Sequence, residues 1–186
     1  MEIIYKYVDD ALKSLAELDM MKLPIPDMPS EMIDDTRKKV DDWIPWKPVQ
    51  STVTDEEIME IEGFVKISFP DSFKKFLKYK HFYELDCPQP EEIRFFRHPV
   101  KDWKNNYLQY YSYNWVKEQL IGNGFLPFAN HQDWGIVCFD TNRNGDTKEY
   151  PVIMIDHELV YDSPIPFEEF GDNFQDMIEK RLKFEQ

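Results

Sequence analysis

A chain of 186 residues with 42% hydrophobic and 16% aromatic content is long enough to bury one real core, and its length fits one domain with an extension. Lysine and arginine number 22 against 36 aspartates and glutamates, a net charge of −14 carried as scattered acidic pairs. That field repels phosphate backbones and anionic lipid, so nucleic acid and membrane are not expected as direct ligands; it would steer a basic partner toward the protein, but taken alone it reads as plain solubility.

Ile3, Ile4, Tyr7, Val8, Ala11, Leu12, Leu15 and Leu18 recur at steps of three and four, which predicts an amphipathic helix over the first ~20 residues. The prolines of "LPIPDMPS" end it. Glu31, Asp34 and Asp35 ahead of Arg37, Lys38 and Lys39 suit the dipole of a second helix opening at Ser30, closed by "WIPWKPVQ". Residues 1–48 thus read as a helical extension on proline-rich linkers, and residues 51–186 as the main domain. Few contacts are expected to cross between them.

Thr54 and Glu57 have the spacing of a capping box, predicting a helix to about Glu62. In "FPDSFKKFLKYK" Pro70 precedes Phe73, Phe76 and Leu77 on one apolar face, a second helix to about Lys80. "EIRFFR" reads as a strand and "NNYLQYYSYNWVKEQLI" as a buried helix. "FLPFA", "WGIVCFD", "EYPVIMID" and "ELVYD" follow with tight connections and predict an antiparallel meander. Phe167, Phe170, Phe174, Met177, Ile178 and Leu182 trace a closing helix. The fold class is α+β, an antiparallel meander sheet with helices packed on one face.

The stretch "DTNRNGD" from Asp140 to Asp146 fills the first half of a calcium loop. Its second half fails, because Pro151 falls where the ion needs a bidentate carboxylate and Lys148 adds a positive charge. Asn144-Gly145 is then a hairpin turn, since both residues tolerate positive φ. The two cysteines, Cys87 and Cys138, fall in no metal spacing, and six glycines leave no phosphate-cradling loop. No nucleophile signature occurs, so no catalytic, cofactor-binding or metal residue is assigned.

One metal reading stays open as an alternative: His131 and His157, with Asp133, Asp156 and Glu158, would serve a metal-dependent hydrolase if the strands brought them to one edge. Asp-His-Glu between two strands is also ordinary turn composition, which weighs against it. Tyr107, Tyr110, Tyr111, Tyr113 and Trp115 lie among Asn and Gln rather than Lys and Arg, fitting core packing or a protein-binding patch rather than a nucleic-acid platform. The start "MEIIYKYVDDALKSL" has acids where a signal peptide is basic, and the expected location is the cytoplasm.

Taken in order, "TDEEIMEIEGFVKISFPDSFKKFLKY", "GNGFLPFANHQDWGIVCFDTNRNGD", "YPVIMIDHE" and "SPIPFEEFGDNF" resemble the SUKH superfamily, named in part for the yeast Smi/Knr-type cell-wall synthesis regulators. The likeness spans about Ser51 to Phe184 and consists of fold patterns rather than catalytic signatures. It departs at "KISFP", where Leu-Pro is usual, and at "FYELDCPQP". The resemblance implies a non-enzymatic immunity protein that binds and neutralises a cognate toxin, frequently a nuclease. The runner-up is a regulatory scaffold like the yeast members. Asp133, Trp134, Asp140, Asp146 and Glu158, in or beside turns of the meander, are the candidate partner-binding residues.

Overall fold

The computed structural model describes residues 2–86, 93–143 and 148–182. The first helix, α1 (Glu2–Glu17), buries the expected stripe of Ile4, Tyr7, Val8, Ala11, Leu12 and Leu15. Leu18 falls outside it and is exposed. Two short strands, β1 (Lys22–Leu23) and β2 (Ile44–Pro45), then pair antiparallel. Between them the expected second helix is replaced by one 3-10 turn at Ser30–Met32. The reason is local. Ile33 is extended and bridges to Trp46, and the Asp34 carboxylate accepts hydrogen bonds from Thr36 N at 3.1 Å and Thr36 Oγ1 at 2.6 Å. Such side-chain bonds offer the backbone an alternative to helix, and they outweigh a favourable charge order.

Strand β3 (Val49–Gln50) leads into α2 (Asp55–Val65), whose capping box is present as the spacing required. Glu57 N donates to Thr54 Oγ1 at 3.2 Å and Thr54 N to a Glu57 carboxylate oxygen at 3.0 Å. Thr54→Ala is expected to cost about 1 kcal/mol of unfolding free energy, read as a lower urea midpoint with an unchanged slope. Helix α3 (Asp71–Leu77) starts directly after Pro70 and stops short of Lys80, because the chain turns into β4 (Lys80–His81), the partner of β3.

The centre of the molecule is a five-stranded antiparallel sheet whose spatial order equals its chain order: β5 (Ile93–Phe95), β6 (Phe125–His131), β7 (Gly135–Asp140), β8 (Val152–Asp156) and β9 (Glu168–Gly171). This is the expected α+β meander. Its last strand comes from a different segment, however. "ELVYD" forms a 3-10 turn at His157–Leu159, capped where the Asp156 carboxylate accepts from Glu158 N at 2.9 Å. Residues expected to open the closing helix supply β9, and α5 (Phe174–Leu182) begins only after Asn173 accepts from Asp176 N at 2.9 Å. Phe170 is therefore a sheet residue. The turn residues Asn144 and Gly145, with Asp146 and Cys87, lie outside the described residues.

Alternation along β7 sorts the two sheet faces. Phe139 meets Phe73 of α3 and Phe174 of α5 with ring centroids 5.3 and 6.2 Å away, so α3 and α5 cover one face. Ile136 and Cys138 point the other way, toward a smaller layer made by α4 (Trp103–Ser112) and the π turn at Val116–Leu120. Burial pushes the Cys138 thiol well above its ordinary value, which keeps it an inert core group.

The extension shares this core. Helix α1 packs on α5, Tyr7 meets Phe95 edge-on at 6.1 Å, and Tyr5 stacks on Tyr79 at 4.1 Å. Asp9 accepts from Tyr79 Oη at 2.8 Å and pairs with Lys80 at 2.5 Å, while Trp46 is fully buried against Tyr83. The expectation that few contacts cross the linkers is not met, because α1 buries its stripe against α5 and Phe95 of the main domain.

His81 and His98 stack in the interior with centroids 4.9 Å apart. Thr52 N donates to His81 Nε2 at 3.0 Å, which places the His81 proton on Nδ1, 3.1 Å from the His98 carbonyl. His98 Nε2 donates to the Leu77 carbonyl at 2.8 Å. Burial, with the neighbouring His81 ring, pulls His98 from its ordinary 6.5 down to about 3, and burial lowers His81 as well. The unfolded chain therefore binds more protons below pH 6.5, and stability is full above that value and lost as pH falls toward 3. Thermal melts should drop between pH 6.5 and 5, and His98→Asn should flatten that slope.

Candidate functional site

The β6–β7 turn builds the site. Gln132 takes a left-handed φ of 51°, which lets His131 pair with Gly135 across a short connection and sets Trp134 at the end of the sheet. Trp134 Nε1 donates to Gln132 Oε1 at 3.0 Å, and its carbonyl accepts from His157 N at 2.9 Å with His157 Nδ1 also 2.9 Å away. The His131 ring packs edge-on against it at 5.5 Å. Backbone and indole are thus both held in place.

Two concavities flank Trp134. The larger, about 330 Å³, is floored by Arg94, Asn130 and Ile136, register neighbours on β5, β6 and β7, and walled by Tyr110 and Trp115. The smaller, about 150 Å³, lies among Met154, Leu159, Phe167 and Glu168. Leu159 and Phe167 are exposed, and so is Tyr161 at 70%. The aromatic segment from Tyr107 to Trp115 splits accordingly. Tyr107 and Tyr111 are core, with Tyr111 Oη donating to the Pro127 carbonyl at 2.8 Å, while Tyr110, Tyr113 and Trp115 reach the surface.

Of the residues singled out by sequence, Asp133 and Glu158 are exposed and Trp134 is half-buried, all at this end of the sheet. Asp140 is not. Its side chain is only 4% exposed and accepts from Asn142 N at 3.1 Å and Nδ2 at 3.2 Å and from Arg143 Nε at 2.5 Å. Arg143 continues to both carboxylate oxygens of Glu169 at 2.7 and 3.1 Å, and Thr141 N and Asn142 Nδ2 tie the loop to Gly124 and Asn123, both at 2.8 Å. Asp140 and Asn142 of the calcium-like motif are thus used to fasten the loop, with an arginine beside the carboxylate. Asp146 lies outside the described residues.

His131 and His157 do not converge on a metal. His131 is buried between the Trp134 and Phe170 rings, His157 is exposed on the Trp134 carbonyl, and the described residues contain no group of three or more His, Cys, Asp or Glu able to hold an ion. The described residues also contain no helix long and apolar enough to cross a membrane.

A family model described as SMI1 / KNR4 family (SUKH-1) matches residues 52–180, from the lead into α2 through the whole sheet to α5. The chain belongs to the SMI1/KNR4 family. The family includes immunity proteins, and in this SUKH member the match takes in all of the Trp134 end of the sheet while leaving α1, β1, β2 and β3 outside it. No curated protein matches the chain. One signal in the SUKH domain escapes a reading that sees its acids as scattered pairs. Between Lys148 and Lys180 stand Glu149, Asp156, Glu158, Asp162, Glu168, Glu169, Asp172, Asp176 and Glu179, without one Lys or Arg. Asp156, Glu158 and Glu168 of that run stand beside Trp134 or the smaller concavity, whereas Glu149, Asp176 and Glu179 line a separate concavity at α5 and Glu169 pairs with Arg143.

Proposed function

We propose that the protein is a cytoplasmic, non-enzymatic immunity protein that binds and neutralises a cognate toxin, a basic nuclease domain, through the Trp134 end of its sheet. The observation that carries this reading is a pre-organised tryptophan set between two concavities and rimmed by Asp133, Asp156, Glu158 and Glu168. Rigid aromatic anchors dominate binding energy at protein interfaces, and surrounding charge sets encounter rate and partner choice. A nuclease must be basic to hold its substrate, so an acidic surface of this kind competes for the same face.

The test is co-expression with the product of the adjacent gene. The expected result is a stable complex with loss of toxin activity at one-to-one stoichiometry, and a neighbour that neither binds nor harms cells removes the proposal. The scaffold reading is favoured by a different feature, the half-exposed Val40 and Trp43 of the extension. Under that reading, partners bind there and ignore changes at Trp134.

A further inference from the structure

We propose that the larger concavity beside Trp134 receives an arginine side chain of the partner protein. This deepens the reading of the Trp134 end as a partner-binding surface and rests on it. Tyr110 and Trp115 meet with centroids 6.1 Å apart and planes at 81°, forming an aromatic corner, and Trp134 lines the same concavity. Asn130 and Gln132 supply amide groups, and Asp133, exposed, supplies a carboxylate. A guanidinium is planar and weakly hydrated, so it stacks on aromatic faces while its edge donates to carboxylate and amide oxygens. An ammonium group, compact and strongly hydrated, gains less from such a corner.

The other charges at the site agree with this occupant. Arg94, the cation on the floor, is held by Asp86 at 3.3 and 3.4 Å, the acid lining the concavity is Asp133, and the chain's net charge of −14 opposes an anionic ligand. The backbone here is also unusual. The π turn starts at the residue after Trp115, and Gln132 is left-handed; π turns are rare and recur at functional sites. With a volume of about 330 Å³, the concavity has room for a whole side chain rather than its tip alone.

The experiment uses the full chain and three capped tripeptides, Gly-Arg-Gly, Gly-Lys-Gly and Gly-citrulline-Gly, titrated while indole N–H resonances are followed by NMR. Single Trp→Phe variants assign the five tryptophans. The arginine peptide should shift Trp115 and Trp134 saturably, the other two should not, and Asp133→Asn should raise the apparent Kd about threefold, as for loss of one exposed charge contact. Asp133 is a turn residue in solvent, and an otherwise unchanged spectrum verifies that the variant is folded. No saturable shift, or equal shifts from the lysine or citrulline peptide, overturns the proposal. Toxin capture without a peptide response sinks this inference alone, whereas a peptide response without toxin capture sinks the immunity reading alone.

Discussion

Removal of residues 1–48 is expected to abolish cooperative thermal unfolding of what remains. Helix α1 places six side chains, Ile4, Tyr7, Val8, Ala11, Leu12 and Leu15, in the common core at 4% exposure or less, and Trp46 is completely buried. Burying a large aliphatic or aromatic side chain is worth about 1.5–3 kcal/mol, and a domain of this kind has a net stability of about 5–15 kcal/mol. Losing most of these contacts, while uncovering α5 and Phe95, therefore approaches or exceeds the whole margin. Leu12→Ala in the intact chain gives a graded version, expected to cost about 2–5 kcal/mol depending on how far α1 and α5 close over the gap. Calorimetry or circular dichroism on the truncated chain checks the larger effect. A sharp transition within a few degrees of the full chain would show that the extension only rests on the domain.

The sequence made this half legible. The stripe on α1 showed that an apolar face needed a partner, but periodicity names no partner, and prolines at 24, 26 and 29 mark a change of direction, not a loss of contact. The capping box at Thr54 and the apolar runs of β6, β7 and β8 were readable because local chemistry and final structure agree there. The helix expected after Ser30 failed where the Asp34 side chain and the pairing of Ile33 with Trp46 captured the backbone. Phe170 belongs to a four-residue strand beside a helix, which leaves little period to read in the sequence.

The site was legible in part for the same kind of reason. Turn positions gave Asp133, Trp134 and Glu158. Asp140 sits at the end of β7, where the adjacent loop folds back on it, and burial there depends on Arg143 reaching both Asp140 and Glu169, a contact spanning 26 residues that no spacing rule contains. Tyr110 and Trp115 are visible in the sequence as aromatics, but their place in the wall of the concavity beside Trp134 depends on how α4 and the π turn pack over the sheet, which no spacing contains.

Under the proposed immunity function, Trp134→Ala is expected to weaken binding of the toxin by about 2–4 kcal/mol, mostly through faster dissociation, as for a central aromatic anchor. The indole is half-buried, and its bond to Gln132 lies at the surface, so the melting temperature should fall far less than affinity. Charge acts on the other rate. Reversal of Asp133 and Glu158 together should slow association, and the wild-type on-rate should fall as salt rises to the physiological range, where the screening length is ~8 Å. Asp140 belongs to a different experiment, because Asp140→Lys removes the partner of Arg143 from a buried position and should lower stability first. Stopped-flow association across a salt series, alongside dissociation rates and melts for each variant, separates these effects. An unchanged dissociation rate for Trp134→Ala, with a flat salt dependence for the wild type, would place the toxin on another surface.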